Sequence, residues 1–320
     1  MEWPRTLQEA ILYFADPDNC ERFMIAMRWP DQIARCPQCG STRVVKLSNS
    51  PLWKCYEKHP KAKFSLKVGT IFEDSPLPLS TWLPAAWLII NCKNGASSYE
   101  IQRGLGVTQK TAWFMLHRIR LAMQTPTFTK LSGEVEADET FVGGKVANMH
   151  LDKQTRMRMG KVRTGGFEGK AVVAGLLERH SKKARVKVLP NTRQFHVRTN
   201  VKENVEKGSA VYTDSLKSYA NLPADGFIHD FVDHTEQYVK GRVHTNGLEN
   251  FWSLFKRALK GTYVSVEPFH LQAYADEQCF RFNERELNDL DRFMIVMSQV
   301  VNRRITYKEL TGKDEETVQP

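Results

Sequence analysis

Apolar residues recur at helical spacing near the start of the chain: Ile11, Leu12 and Phe14, then Phe23, Met24 and Met27. Two short helices are expected there, parted by the turn Asp16-Pro17-Asp18. Residues 43–47 (RVVKL) and 51–55 (PLWKC) read as short strands. Helical spacing returns over 71–125. Ser80 is placed to cap a helix through 81–92 (TWLPAAWLIINC), with Pro84 tolerated near its first turn. Ser97 or Ser98 then caps a short helix carrying Tyr99, Ile101 and Leu105. Gly104 to Val107 turns the chain, and Thr108 caps a second helix with Ala112, Met115, Leu116, Ile119 and Met123 on one face.

After a polar linker at 124–130, the period changes to two. Val135 and Ala137 point one way, and Glu134, Glu136, Asp138 and Thr140 the other. Gly143-Gly144 ends this strand, and residues 145–167 read as a basic loop suited to a DNA backbone, or simply solvated. The run 171–177 (AVVAGLL) is apolar throughout, as in a strand buried on both faces. A strand at 184–189, a helix over 197–205 and a strand at 209–213 follow, the last delivering Asp214. Residues 215–219 turn into a short helix, and loops hold His229, Asp233 and His234. Residues 243–257 form an amphipathic helix. Leu248, Phe251, Trp252, Phe255 and Leu259 make its apolar stripe, and Asn246, Glu249, Ser253 and Lys256 a polar one. A last long helix spans 270–282, and the charged tail after Tyr307 is expected to fray. The order βββαβα indicates an α/β fold with a mixed sheet.

Charge narrows the partners. The chain has 320 residues, with 46 Lys and Arg against 36 Asp and Glu, a net charge of +10. Such a balance favours a polyanion, most often nucleic acid. No run of about 18 apolar residues suggests a membrane span, and no secretory signal is apparent, so a cytoplasmic protein is expected.

Two groups of residues carry chemistry. Cys36-Pro37-Gln38-Cys39-Gly40 reads as a zinc knuckle. Cys55 is a third ligand; Lys58 stands where a fourth cysteine is usual, and His59 can close a Cys3His set. The competing reading is a knuckle that has lost its metal and kept its fold. The second group is Asp138, Asp214 and Glu249. Separated carboxylates that converge in a fold can hold two divalent ions, a common way to attack a phosphodiester. Glu136 and Glu139 are decoys beside Asp138. Lys256, seven residues after Glu249, faces a DNA phosphate in this reading. The helix pair at 97–123 has the layout of a helix-turn-helix, with Gln109, Lys110, Trp113 and His117, and Arg118 and Arg120 behind, facing outward to DNA. An ordinary helical hairpin has the same pattern.

These motifs together resemble bacterial insertion-sequence transposases of the DDE type with an amino-terminal zinc ribbon. The resemblance rests on Cys36-Pro37-Gln38-Cys39, residues 68–74 (VGTIFED), residues 133–140 (GEVEADET) with Gly143-Gly144, and Tyr212-Thr213-Asp214. It continues through His244-Thr245-Asn246, Glu249, residues 251–254 (FWSL), Lys256-Arg257 and Arg281-Phe282-Asn283. It implies an RNase H-like catalytic domain preceded by a zinc ribbon and a helix-turn-helix region. It further implies Mg²⁺ or Mn²⁺ at the three acids, structural Zn²⁺, Arg257 at DNA, cleavage at terminal inverted repeats, strand transfer to target DNA, and a homo-oligomer. Some relatives place Asn third in the triad, so Asn246 and Asn250, which flank Glu249, compete with it for that place. The domains are then 1–70, cap and ribbon; 71–126, helix-turn-helix; 127–290, catalytic; and 291–320, tail. A non-catalytic DNA-binding regulator and a nuclease that cuts without joining are the competing functions.

Overall fold

The computed structural model describes residues 2–48, 50–124, 129–144, 170–214, 216–232 and 243–312. They fall into two compact units, Met1–Thr125 with Glu284–Pro320, and Pro126–Asn283. The basic loop at 145–167 and the residues Asp233 and His234 lie outside the described residues.

In the first unit, α1 (Leu7–Ala15) starts from a capping box formed by Thr6 and Glu9. Asp16 ends α1 and caps α2 (Pro17–Arg28), whose first residue, proline, needs no amide partner. Next come three short antiparallel strands, β1 (Val44–Lys46), β2 (Leu52–Cys55) and β3 (Lys63–Ser65), with β2 central. Helix α3 (Leu79–Asn91) is buried nearly all round. It begins after Pro78 and has no side-chain cap, so Ser80 lies inside its first turn rather than at the cap. Ser97 caps α4 (Ser98–Leu105), Gly106 takes the left-handed conformation at φ 67°, and Thr108 caps α5 (Gln109–Met123). The carboxy-terminal segment, set apart as a tail in the sequence, belongs to this unit. Its helix Asp289–Ser298 sends Phe293 against Phe23 at 5.4 Å and Trp87 at 4.9 Å. A short capped helix, Tyr307–Thr311, follows.

The second unit is a five-stranded mixed sheet. Strands β4 (Glu134–Val142), β5 (Ala171–Glu178) and β6 (Lys183–Leu189) form an antiparallel meander. After α6 (Gln194–Asn204), strand β7 (Ala210–Asp214) runs parallel to β4 on its other side. Strand β8 (Ile228–Val232) adds to β7, giving the order β6-β5-β4-β7-β8. His229, expected in a loop, lies in β8 and pairs with Val211. Helices α7 (Asn246–Ala258) and α8 (Leu271–Asn283) complete the unit.

The two faces of this sheet carry separate cores. Val135, Ala137, Leu176 and Val211 pack with Val197 and Val201 of α6 and with Tyr219. On the other face Val173 and Leu177 pack with Leu248, Phe251, Trp252 and Phe255 of α7 and with Tyr274 and Phe282 of α8. The result is the RNase H-like α/β layout that the resemblance implies. Edge strand β6 is covered by amide side chains from α8. Asn283 accepts from Ala184 N at 2.7 Å and donates to Ala184 O at 2.9 Å, and Gln272 accepts from Val188 N at 2.7 Å. Among the described residues, no helix is long and apolar enough to cross a membrane.

Candidate functional site

The knuckle turns tightly enough to put two thiols side by side. Gly40 N donates to Cys36 O at 2.9 Å, and Gly40 has a φ of 72°. Cys55 ends β2, and His59 follows in the turn toward β3. The ligand atoms of Cys36, Cys39, Cys55 and His59 all lie within 4.8 Å of one another. Cys39 Sγ is 3.7 Å from Cys55 Sγ, and Cys36 Sγ is 3.5 Å from His59 Nε2. A tetrahedron with zinc–sulfur bonds near 2.3 Å has sulfur–sulfur edges of about 3.8 Å, so the donor set fits zinc. His59 Nδ1 lies 2.7 Å from Pro60 O, which leaves Nε2 for the cluster. Burial pushes the Cys36 thiol up, but hydrogen bonds from the Cys39 and Gln38 amides and from the Cys39 and Cys55 thiols outweigh it and bring it down to about 7.

Strand alternation places the acids. Glu136 and Asp138 share the face of β4 that packs against α7, as the sequence period indicates. Glu136 pairs in register with Tyr212 of β7, so Asp138 and Asp214, two residues on along parallel strands, stand level on that face. Across β4, Asp138 faces Gly175 of β5. A Cβ at Gly175 would meet the Trp252 ring at 2.7 Å. The missing side chain admits the indole, whose Nε1 donates to Asp138 Oδ2 at 2.9 Å. Burial first, and then the Asp214 charge, push the Asp138 carboxyl up to about 6, with Glu249 adding to the rise. Asp214 Oδ1 accepts from Leu216 N at 3.0 Å.

Glu249 is exposed on α7, and so are Asn246, Asn250, Ser253, Lys256 and Arg257. Among the described residues, the cysteine–histidine set is the one group of three or more such side chains gathered closely enough to share a single ion. Carboxylate oxygens about 2.1 Å from two ions that are themselves about 4 Å apart can lie as much as about 8 Å from one another. Oxygen donors, with mutual repulsion for a cation to relieve, fit Mg²⁺ or Mn²⁺.

Glu136, a decoy by its position beside Asp138, is the most enclosed acid of the face, 1 % exposed. It accepts from Leu248 N at 3.1 Å and from Arg179 Nε at 3.0 Å, and lies 3.3 Å from His244 Nδ1. Two glycines were the available signal. Gly175 interrupts an apolar run, and Gly247 opens α7; each marks a close approach. Glu139, the other decoy, points to the opposite face. There Tyr219 donates a hydrogen bond to it, and burial pushes its carboxyl up to about 8.

The helix pair is as expected in outline and different in exposure. Lys110 is exposed, with Nζ 4.7 Å over the Tyr307 ring. Gln109 and Trp113 are half-buried, and Gln109 donates to Ser98 Oγ at 2.9 Å. His117, Arg118 and Arg120, expected to face outward, are buried. The carboxy-terminal segment covers that side of α5: Arg118 Nε donates to Ile305 O at 3.3 Å, and Arg303 donates to Leu121 O. The Arg118 guanidinium lies 4.6 Å over Phe114, and His117 packs on Trp113 at 4.5 Å.

Comparison with known proteins agrees with these features. Residues 130–283 match the ISXO2-like transposase domain, and residues 15–57 match a transposase zinc-ribbon domain. The chain is 26% identical over 251 residues to an uncharacterized protein in transposable element ISH50 from Halobacterium salinarum, covering 77% of this chain and 84% of that one. It is 31% identical over 100 residues to an uncharacterized transposase-like protein from Haemophilus influenzae, covering 31% of this chain and 80% of that one. With its mixed-sheet unit and its cysteine-rich ribbon, the chain belongs to the ISXO2-like transposase family.

Proposed function

We propose that this chain cuts DNA at the ends of its element and joins the freed ends to target DNA, with Asp138, Asp214 and Glu249 holding Mg²⁺ or Mn²⁺. The observation that carries the reading is the level placement of Asp138 and Asp214 on adjacent strands, beneath the helix that bears Glu249. When bound, the ions supply activation of the attacking oxygen and stabilisation of the leaving one. The protein's own part is placement. Trp252 holds Asp138 Oδ2 and the Glu139 amide holds Oδ1, each at 2.9 Å, which fixes the carboxylate and leaves each oxygen a lone pair for metal. Lys256, on the exposed stripe of α7 with Glu249, pairs with a DNA phosphate, and Arg257 beside it adds positive charge. The Cys3His group holds structural Zn²⁺. The start of α5, with Gln109, Lys110 and Trp113, meets the terminal repeats, and two copies bridge two ends.

The test uses the full-length protein, Mg²⁺ and DNA carrying the inverted repeats that flank the coding sequence. End cleavage and strand joining are expected, both lost in Asp138→Asn and Asp214→Asn with DNA binding kept. Full activity in either variant sinks the metal assignment. Binding without cleavage by the natural protein favours the regulator, and cleavage without joining favours the nuclease.

A further inference from the structure

Helix α7 starts without help from its own sequence. Its N-cap residue, Thr245, makes no side-chain hydrogen bond to the first turn, so the opening amides need partners from elsewhere. Glu136 of β4 supplies one, accepting from Leu248 N at 3.1 Å. We infer that Glu136, held by Arg179 and His244, is a positioning residue that fixes the start of α7 and so sets where Glu249 stands.

A buried carboxylate survives only when its charge is matched and its lone pairs are used. Glu136 meets both conditions. Oε1 accepts from Arg179 Nε at 3.0 Å and lies 3.3 Å from His244 Nδ1, while Oε2 serves Leu248 and the positive end of the helix dipole. The same guanidinium donates to His244 O at 2.6 Å, so one side chain grips both the carboxylate and the residue that leads into the helix. Arg179 is itself braced, 4.5 Å over the Tyr212 ring. Gly247 completes the fit. A Cβ there would lie 2.8 Å from Glu136 Oε2 and 3.1 Å from Leu177. These contacts occupy Glu136, which separates it from the metal-facing Asp138 two residues along the same strand. Glu249 follows Leu248 directly, and Trp252, the donor to Asp138, lies one turn further. A shift at the helix start therefore moves the third acid and loosens the first.

The kinetic part of the test rests on the proposed cleavage; the exchange part does not. Full-length Glu136→Ala, Glu136→Gln and Gly247→Ala are compared with the natural protein for end-cleavage rate at saturating DNA, DNA affinity, and hydrogen exchange of the Leu248 amide. A misplacement near 1 Å costs about 100-fold in rate, so Glu136→Ala is expected to cleave about 100-fold more slowly with DNA affinity unchanged. Glu136→Gln keeps an acceptor for Leu248 and is expected to recover part of the rate. In Glu136→Ala the Leu248 amide exchanges faster, while the Val173 and Val211 amides stay as they were. Gly247→Ala produces the same slowing from the helix side with the carboxylate intact, and it decides the matter with Glu136→Gln if Glu136→Ala does not fold. Cleavage at the natural rate in Glu136→Ala, or a Leu248 amide as protected as in the natural protein, overturns the inference. If the natural protein does not cleave, the proposed function fails instead, and the exchange of Leu248 alone decides the positioning role.

Discussion

Burial and the Asp214 charge raise the Asp138 carboxyl from 3.8 to about 6, and a raised acid has a definite effect on stability. Below about pH 4 both folded and unfolded chains hold the proton. Between about pH 4 and 6 the folded chain keeps a proton that the unfolded chain has released, so stability falls as pH rises. Above about pH 6 the full cost is present, at most roughly 3 kcal/mol. Asp138→Asn removes that charge while keeping an acceptor for Trp252. It is expected to stabilise the metal-free protein by roughly 1–3 kcal/mol near pH 7.5 and by little near pH 4. Urea unfolding at both values checks this; equal effects at both would contradict it. Mg²⁺ is expected to raise the Tm of the natural protein and leave that of Asp138→Asn unchanged. The sequence period was enough to put Asp138 on the α7 face, but it could not separate Asp138 from Glu136. Both are acids on one face, and they differ only in what covers them. Glu136 lies under a helix start and a guanidinium, contacts that join residues 136, 179 and 244 across the chain.

Element by element, the strands and helices with a strong period were legible, among them β4, the buried run of β5, α5 and the two-striped α7. Strand β8 was not. It is an edge strand with polar His229 and Asp230 at its centre, and its pairing to β7 supplies what the local pattern lacks. The start of α3 was displaced because Pro78 already stops the extended chain, leaving Ser80 with helical geometry. Arg281-Phe282-Asn283 was legible only as a family mark; the fold gives Asn283 a task. Its amide serves both backbone groups of Ala184 on the β6 edge. Asn283→Ala leaves those groups without it and is expected to cost about 2 kcal/mol in chemical denaturation. An unchanged midpoint would show that water replaces the amide at no cost. The ribbon gives a second expectation at this scale. Metal analysis of the full chain is expected to find zinc, with Cys55→Ala losing it and His59→Ala binding it more weakly. Retention of full zinc affinity in His59→Ala would remove His59 from the ligand set.

At the scale of the whole molecule, a net charge of +10 favours DNA, but it does not say which cations do the work. Burial sorts them. Lys110 is exposed at the start of α5, while Arg118 is 3 % exposed and spent on Ile305 O and the Phe114 ring. The two therefore fail differently. Lys110→Ala is expected to weaken binding to terminal-repeat DNA and to lower the slope of log affinity against log salt by about 1, since one phosphate contact is lost. Its Tm stays near that of the natural protein, because Lys110 is exposed and its contact with the Tyr307 ring is a surface one. Arg118→Ala removes buried packing and a hydrogen bond that ties the carboxy-terminal segment to α5. It is expected to cost roughly 2–4 kcal/mol of stability, with the salt slope of the remaining folded protein unchanged. Thermal melts and DNA titrations at several salt concentrations separate the two outcomes. An Arg118→Ala protein that melts normally but loses a unit of salt slope would return Arg118 to the DNA interface. It would also mean that the carboxy-terminal segment leaves α5 when DNA binds.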